Sequence, residues 1–461
     1  MSFSLTQITI SPREPLNRND SIIQISEKLF TELQLNNNRD LKITLGKKTI
    51  ITTIQIVECA ANEMLLPKNI IKAFCLPIQS YKFQAIYHLE SQELQLGPVI
   101  GLLTDFPIMK NGEPHFRSIH TFCEELHHGI TERGGFFYVF PYDKFLEQGY
   151  YFVNGKWTTA ELPLPDVIYN RIHSRRLERW EPYKHFRKRL DQLMIPLFND
   201  RFLSKWEVYE HVHKENQLFP FMPETKVFSK EHLHDFAQKY ETIFVKPIHG
   251  SQGRNIVKVT KEAENCYSMQ SSLPNQANDL RKNYSLEEIY QQIKPILHNR
   301  IYIIQQGILL AAHQSAAMDF RVLCHKNLNN DWEVTSTVAR IAAEQEFVSN
   351  LARGGTLVKP LHALRTCMSP KKALEVLALM KELALETASV ISRRTAGLTG
   401  ELGIDIGVDQ DGKPWLIEVN SKPSKSFEDG LGKIRPSAKA IIQFCTIIAF
   451  DSTIIEGGNI H

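Results

Sequence analysis

Leu402-Gly-Ile-Asp405-Ile-Gly-Val408-Asp-Gln-Asp411-Gly412-Lys-Pro414-Trp-Leu-Ile-Glu418-Val-Asn420 is the stretch whose reading decides the fold. Two apolar-rich runs, 402–408 and 414–419, are joined through Asp411-Gly412. An Asp-Gly pair between such runs signals a β-hairpin. With those two residues as the loop, Gln410 pairs with Lys413. Counting back along both strands then sets Asp405 opposite Glu418. Asn420, two residues further on, shares the face of Glu418.

Carboxylates opposed across a ladder repel one another. A hairpin whose acids merely face water would tolerate that. Ile404, Ile406, Leu416, Ile417 and Val419 argue against a wholly exposed hairpin. A bound Mg2+ explains the pair, because this ion takes carboxylate and amide oxygens and keeps room for phosphate oxygens. Asp405, Glu418 and Asn420 are therefore the candidate metal ligands.

Upstream, Phe244-Val-Lys246-Pro247 runs into His249-Gly250-Ser251-Gln-Gly253-Arg254. A lysine at a strand end feeding a small-residue loop suits phosphate: the glycines let backbone N–H groups approach, and the lysine offsets charge. An ordinary β-turn is the rival reading. Neither G-x-x-x-x-G-K-[ST] nor G-x-G-x-x-G occurs. Lys205 by itself reads as a surface lysine.

Between loop and hairpin lie Asp319-Phe-Arg321, Val338-Ala-Arg340 and Glu346-Phe-Val-Ser-Asn350-Leu-Ala-Arg353-Gly354-Gly355. An arginine fork grips a phosphoryl or carboxylate group in two places. For any one arginine a surface ion pair, such as Arg340 with Glu344, is the simpler reading. Three such elements in this position favour substrate contact.

At 461 residues and a net charge of +3, the chain is long enough for two to four domains and neither strongly basic nor acidic. The basic run 171–189 is interleaved with acids and Trp180 and reads as a solvated helix face, so no nucleic-acid partner is expected. Seven cysteines are scattered without a C-x-x-C pair, as in a reduced cytoplasmic protein. No basic segment leads into an apolar run at the N-terminus, so no signal peptide is expected. No run of about 18 apolar residues occurs, so no membrane partner is expected. His211-x-His213, His232-x-His234 and His127-His128 lack structural-zinc spacing and read as surface or cap histidines.

Residues 1–92 read as a small β-rich unit with strands over 42–57, 83–89 and 93–96. Residues 93–199 alternate strand and helix (strands 99–103, 136–140 and 167–169, helix 116–128), predicting an open α/β domain with parallel strands. Residues 200–455 form a further unit, divided near 305. Helices are predicted over 204–213, 286–298 and 371–394, and strands over 243–246, 255–259, 301–305, 319–325 and 332–340. Residues 264–285 read as a polar loop. No repeat of 20–50 residues is evident.

In this order the residues resemble the ATP-grasp superfamily: Lys205, Lys246 with a glycine loop, a hinge, D-x-R, R…F-x-S-N…G-G, and the D…E-x-N hairpin. Residues 340–355 are similar to ribosomal-protein glutamate ligases. A closer resemblance is to the YheC/YheD-type endospore coat-associated family. It is carried by Leu96-Gly-Pro-Val-Ile-Gly-Leu-Leu-Thr104, Pro165-Asp-Val-Ile-Tyr-Asn-Arg-Ile172 and Phe198-Asn-Asp-Arg-Phe-Leu203.

The resemblance implies an α/β (α+β) chain: an ATP-grasp fold, with a lid over 205–305 and a metal-binding core over 306–455. A Rossmann-like pre-ATP-grasp domain and the β-rich unit precede it. It implies ATP with one or two Mg2+. Lys205 and Lys246 would meet the phosphates under a lid loop of Gly250, Ser251 and Gly253. Gln305, Gln306 and Ile308 would form the adenine hinge. Gln305-Gln306-Gly307 stands where the superfamily carries a ribose-binding glutamate. Arg321, Arg340 and Asn350 would act on the γ-phosphate or an acyl-phosphate. The implied activity is carboxylate–amine ligation in the cytoplasm or at the spore coat, with coat proteins as partners. The alternative is a coat-associated assembly protein that keeps the fold without catalysis. Residues 353–359 and the N-terminal domains would choose the acid and amine.

Overall fold

A computed structural model describes residues 5–16, 20–35, 40–110, 112–250, 255–272, 282–297, 300–314, 316–342, 355–425 and 434–451. The β-branched run in the first hundred residues folds into a hairpin, Leu41–Leu45 with Lys48–Ile56, turned at Gly46 (φ 57°). This hairpin belongs to a closed seven-stranded barrel. The last barrel strand is Glu93–Gly97, past the expected boundary at residue 92.

The barrel corrects the expectation that the chain lacks a repeat. Thr6–Arg13, Ile22–Ile25, helix Glu27–Glu32 and Leu41–Leu45 form one β-β-α-β unit. Lys48–Ile56, Glu63–Pro67, helix Lys68–Ala73 and Tyr81–His88 form a second. Each unit's first strand pairs in parallel with the other unit's second, and antiparallel with the other unit's last. The helices end alike. Gln34 and Cys75, 41 positions apart, have φ of 54° and 57°. Leu35 N–H donates to the Phe30 carbonyl and Leu76 N–H to that of Ile71, both at 3.1 Å. Leu33, Leu35, Phe74 and Leu76 are all buried. What repeats is burial pattern and backbone, which residue identity conceals.

The second sheet contains a parallel set, with Phe136–Phe140, Val99–Leu103, Val167–Asn170 and Leu197–Phe198 as successive neighbours. Both faces are covered, which explains the unbroken apolar sequence Phe-Phe-Tyr-Val-Phe. Phe136, Tyr138 and Phe140 share a core with helix Glu181–Gln192 and the barrel. Phe137 and Val139 face helices His120–Arg133 and Pro436–Phe450. The first of those helices starts after a 3-10 turn at Arg117–Ile119, later than the predicted 116. The second lies far along the chain yet fills this core, so packing crosses the expected division at residue 199. A hairpin that the sequence expectations omit, Gly149–Val153 with Lys156–Ala160, extends the sheet. Its Asn154-Gly155 turn, with φ of 50° and 75°, is a strong hairpin signal.

Two six-stranded sheets form the remainder. The third is ordered Thr225–Val227, Tyr302–Gln306, Thr242–Pro247, Val257–Ala263, Cys266–Ser271, Lys282–Tyr284. Its last two strands correct the predicted polar loop over 264–285. Tyr267 and Met269 are buried at alternate positions, a short pattern masked by the serines and glutamine around it. The fourth sheet sets Thr356–Val358, Trp332–Ile341, Ala316–Lys326, Glu401–Val408 and Pro414–Asn420 side by side, and its sixth strand, Ala312–His313, pairs with the start of Ala316–Lys326. Phe320, Val322, Ala339, Ile404 and Ile406 turn one face of it into the core against helix Pro370–Arg394. Among the described residues no helix is long and apolar enough to cross a membrane.

Buried polar groups fix the second unit to the fourth sheet. The Asn199 amide donates to the carbonyls of Glu401 (2.9 Å) and Ser421 (2.7 Å) and accepts from Gly400 N–H (3.0 Å). Tyr169 donates its hydroxyl to Glu401 at 2.5 Å. Arg171, Lys425 and His325 surround the same carboxylate, none of them exposed. Arg171 is thus buried, and the basic run it begins is not wholly a solvated face.

The docking of helix Pro436–Phe450 can be tested. Phe444 is 1% exposed and meets Phe198 edge-on at 5.1 Å. Phe444→Ala is expected to cost about 3–5 kcal/mol in urea unfolding. Leu374→Ala, at a position 53% exposed, should stay within about 0.5 kcal/mol.

Candidate functional site

The hairpin at Asp411-Gly412 forms, and Asp405 pairs with Glu418. The route differs from the simple count. Asp409 N–H donates to the Lys413 carbonyl, so Gln410 lies in a three-residue loop instead of pairing with Lys413. Gly412 takes φ of 84°, as such a loop requires. The Asp409 carboxylate stiffens the turn, accepting from Lys413 N–H at 2.9 Å and from the Trp415 indole at 2.8 Å. The longer loop shifts the pairing to Val408 with Pro414 and Ile406 with Leu416. A bulge at Ile417 then shifts it back. Two departures cancel, and the predicted partners meet.

The ladder continues sideways. Arg321 stands opposite Asp405, and Arg340 opposite Asp319. All share the face turned away from the apolar core. Asp405 accepts from Arg321 Nε and, at 2.8 Å, from Arg321 Nη2, while Arg340 Nη2 lies 3.1 Å away. Arg340 also forks onto Asp319 through two contacts of 2.6 Å. Burial alone would raise the Asp405 pKa, but the two guanidiniums outweigh it and hold the carboxyl below its ordinary value. Glu418 pairs with Lys205 at 2.5 Å, and the Asn420 amide donates to Asp405 at 3.4 Å.

This arrangement corrects part of the sequence argument. The opposed carboxylates already have neutralising partners in the protein, namely Arg321, Arg340 and Lys205, so their repulsion does not by itself demand a metal. Among the described residues no group of three or more His, Cys, Asp and Glu could hold a metal ion. The donor chemistry of Asp405, Glu418 and Asn420 still fits Mg2+. They are two carboxylates and an amide oxygen on one face, and this ion keeps several waters or phosphate oxygens beside a few protein ligands.

A cleft of about 790 Å3 separates this face from the third sheet. Strand Thr242–Pro247 buries Ile243 and Val245 and turns Phe244 and Lys246 to the cleft. Burial, with the Lys205 ammonium nearby, pulls the Lys246 amine down to about 8. Lys258, on the next strand, also faces the cleft, and burial lowers its pKa. Sequence reasoning missed Lys258, although Val257-Lys-Val259 alternates visibly. Lys205 opens a helix capped by Ser204 and Glu207. Gly250 lines the cleft where a Cβ would meet Pro247 at 2.9 Å. Ser251, Gly253, Asn350, Arg353 and Gly354 lie outside the described residues.

The side chains of Gln305 and Gln306 already have partners within the protein. Gln305 lines the cleft, accepting from Lys246 Nζ at 2.7 Å and donating to the Thr225 hydroxyl at 2.9 Å. The Gln306 side chain accepts from Glu224 N–H at 3.2 Å, and its own N–H donates to the Glu224 carbonyl at 2.9 Å. Both glutamines are committed to the protein because a β-strand on either side of Tyr302–Gln306 claims its groups. Among the described residues nothing bonds the Ile308 N–H. Met222, Ile308, Met318 and Leu416 make that end of the cleft apolar.

Residues 194–448 match the family described as YheC/D like ATP-grasp. The chain is similar to the endospore coat-associated protein YheD of Bacillus subtilis (strain 168), 27% identical over 413 residues, 87% of this chain and 88% of the relative. It is also similar to the endospore coat-associated protein YheC of the same organism. That relative is 22% identical over 301 residues, 65% of this chain and 80% of its own length. Among solved structures, the D-alanine-D-alanine ligase from Coxiella burnetii overlaps with a TM-score of 0.46 at 10% identity. The overlap covers 78% of this chain and 98% of the ligase.

Removing the buried charge at the centre should be costly. Asp405→Asn is expected to lose about 3–5 kcal/mol of stability at neutral pH, because Arg321 and Arg340 are left with one carboxylate between them. The Asp405 pKa is depressed on folding, so its contribution is present above the unfolded value near 3.9 and lost as pH falls through the lower folded value. Urea titrations at several pH values should show the gap between variant and wild type constant from about pH 7 to 5, closing only in strong acid.

Proposed function

The chain belongs to the YheC/D-like ATP-grasp family, and from that footing we propose that it binds ATP with Mg2+ in the cleft and joins a carboxylate to an amine through an acyl-phosphate. One observation carries this reading: Lys205, Lys246, Arg321 and Arg340 converge on a single cleft that also holds Asp405, Glu418 and Asn420. So many cations around three oxygen donors suit a polyphosphate, with an apolar end for the base.

Lys205 and Lys246 would meet the phosphates, with Gly250, Ser251 and Gly253 over them. The Ile308 N–H would take an acceptor atom of the base. Asp405, Glu418 and Asn420 would hold one or two Mg2+, which when bound offsets the charge of the triphosphate. Arg321 and Arg340 keep Asp405 ionised, as an oxygen ligand must be. With Asn350, they would also stabilise the transferred phosphoryl group.

The acid's carboxylate oxygen attacks the γ-phosphorus, the bond to the bridging oxygen breaks, and ADP leaves. The amine nitrogen then attacks the acyl carbon, phosphate departs, and the amine gives up a proton. The chain's part is to position reactants and stabilise charge.

The names of the relatives support placement at the endospore coat, with coat proteins as partners. A second reading, a coat-associated protein without catalysis, draws on Gln305 and Gln306 standing where the superfamily carries a ribose-binding glutamate, each already hydrogen-bonded within the protein.

Phosphate release in the presence of candidate acids and amines separates the two. Glu418→Gln is expected to abolish Mg-dependent release; undiminished release would sink the metal assignment. A second prediction concerns Lys246. Its amine titrates near 8, and an arriving phosphate favours the ammonium form. Binding of a non-hydrolysable ATP analogue should therefore draw a proton from solution at about pH 9 and almost none at about pH 7. Calorimetry in buffers of different ionisation enthalpy reads this uptake, and Lys246→Arg, charged throughout, should remove it.

A further inference from the structure

Beside Lys205 and Gly250, which line the cleft, lies a second group of cations that are not themselves among the lining residues. Arg175 rests over the Phe202 ring, 4.9 Å from its centroid, and donates to the Leu203 carbonyl at 2.9 Å. That carbonyl is two residues before Lys205. Arg175 Nη1 also lies 3.4 Å from His249 Nδ1, and Arg179 Nη2 lies 2.8 Å from Nε2 of the same ring. His249 directly precedes Gly250, on the loop leaving Lys246.

The neighbouring carboxylates are all committed elsewhere. Glu178 holds Lys422 and, at 3.0 Å, the Phe202 N–H. Glu207 is forked by Arg201. Glu418 holds Lys205. Among the described residues neither Arg175 nor Arg179 forms an ion pair. A neutral imidazole offers one acceptor nitrogen, so it cannot satisfy both guanidiniums at once. Burial and the two arginines also lower the His249 pKa, which keeps the ring uncharged and adds no counter-charge. Two guanidiniums are thus held together around a ring that cannot neutralise them, with Arg179 and His249 open to solvent.

We propose that Arg175, Arg179 and His249 form an anion-recognition site for the acid that is ligated, and that this acid carries a second anionic group, carboxylate or phosphate, besides the carboxylate that is activated. The proposal rests on the ligase reading, because it names the class of acid which that reaction would take. The arginine forks match either oxyanion in geometry. Their place beside Lys205 and Gly250 sets the second anionic group near the phosphoryl-transfer end.

The test titrates the full chain with acetate, with succinate, glutarate and adipate, and with 3-phosphoglycerate, in the presence and absence of a non-hydrolysable ATP analogue and Mg2+. At least one dianionic probe should bind about tenfold or more tightly than acetate, the scale of one charge-assisted hydrogen bond. Whether dicarboxylates or 3-phosphoglycerate bind best identifies the second group. Arg175→Gln with Arg179→Gln should erase the preference while leaving analogue affinity within about twofold. His249→Asn, at an exposed position, should weaken the same probes and guards against misfolding of the double variant. No preference in the wild type, or a preference that survives the double variant, overturns the proposal. So does a double variant that loses the analogue as much as the probes, since the arginines would then serve the nucleotide. If the wild type binds no analogue, the ATP reading falls, and the nucleotide-free titration still decides this one.

Discussion

A charged row crosses the strands of the fourth sheet, and the site is built on it. Arg321, Asp405 and Glu418 stand opposite one another on three adjacent strands, with Arg340 and Asp319 beside them and Lys205 closing the end. Asp405 is 5% exposed, and such a charge is tolerated only when paired and hydrogen-bonded. The same strands bury Phe320, Ile404 and Ile406 on the opposite face. Strand alternation therefore produces a dry core on one side and a polar cleft wall on the other. Slipping the register by one residue would move the whole row into the core.

Such a row must be held still relative to the opposing wall. The Asn199 and Glu401 joints, both buried, fix the strand carrying Asp405 and the segment after Asn420 against the second unit. Helix Pro436–Phe450 returns to the core of that unit and locks it from behind. Across the cleft, Gln305 bridges Thr225 and Lys246, so the lysine is oriented by its own sheet. A rigid wall on each side suits chemistry in which positioned charge, rather than a nucleophilic side chain, does most of the stabilising.

The hairpin was legible because it is local. Asp-Gly and two apolar runs define it, and the partner of Asp405 came out right although loop and bulge each departed from the count. Arg321 and Arg340 were recognisable as cations near the site. Their grip on Asp405 was not, because it depends on pairing between strands about 80 residues apart in sequence. The partners of Gln305 and Gln306 were equally hidden, since they need the flanking strands in place. The barrel's two-fold repeat left little residue identity to find, and is carried by burial and matching helix ends. The Arg175–His249 cluster joins segments from two units, and the run containing those arginines looked like a solvated helix face.

We propose that this cleft is a nucleotide site completed by a divalent cation. Calorimetric titration of the wild-type chain with a non-hydrolysable ATP analogue, with Mg2+ and again with chelator, tests it most directly. One binding event per chain is expected, weakened about tenfold or more when the cation is removed. Binding that is indifferent to the cation, or no binding at millimolar analogue, would contradict it.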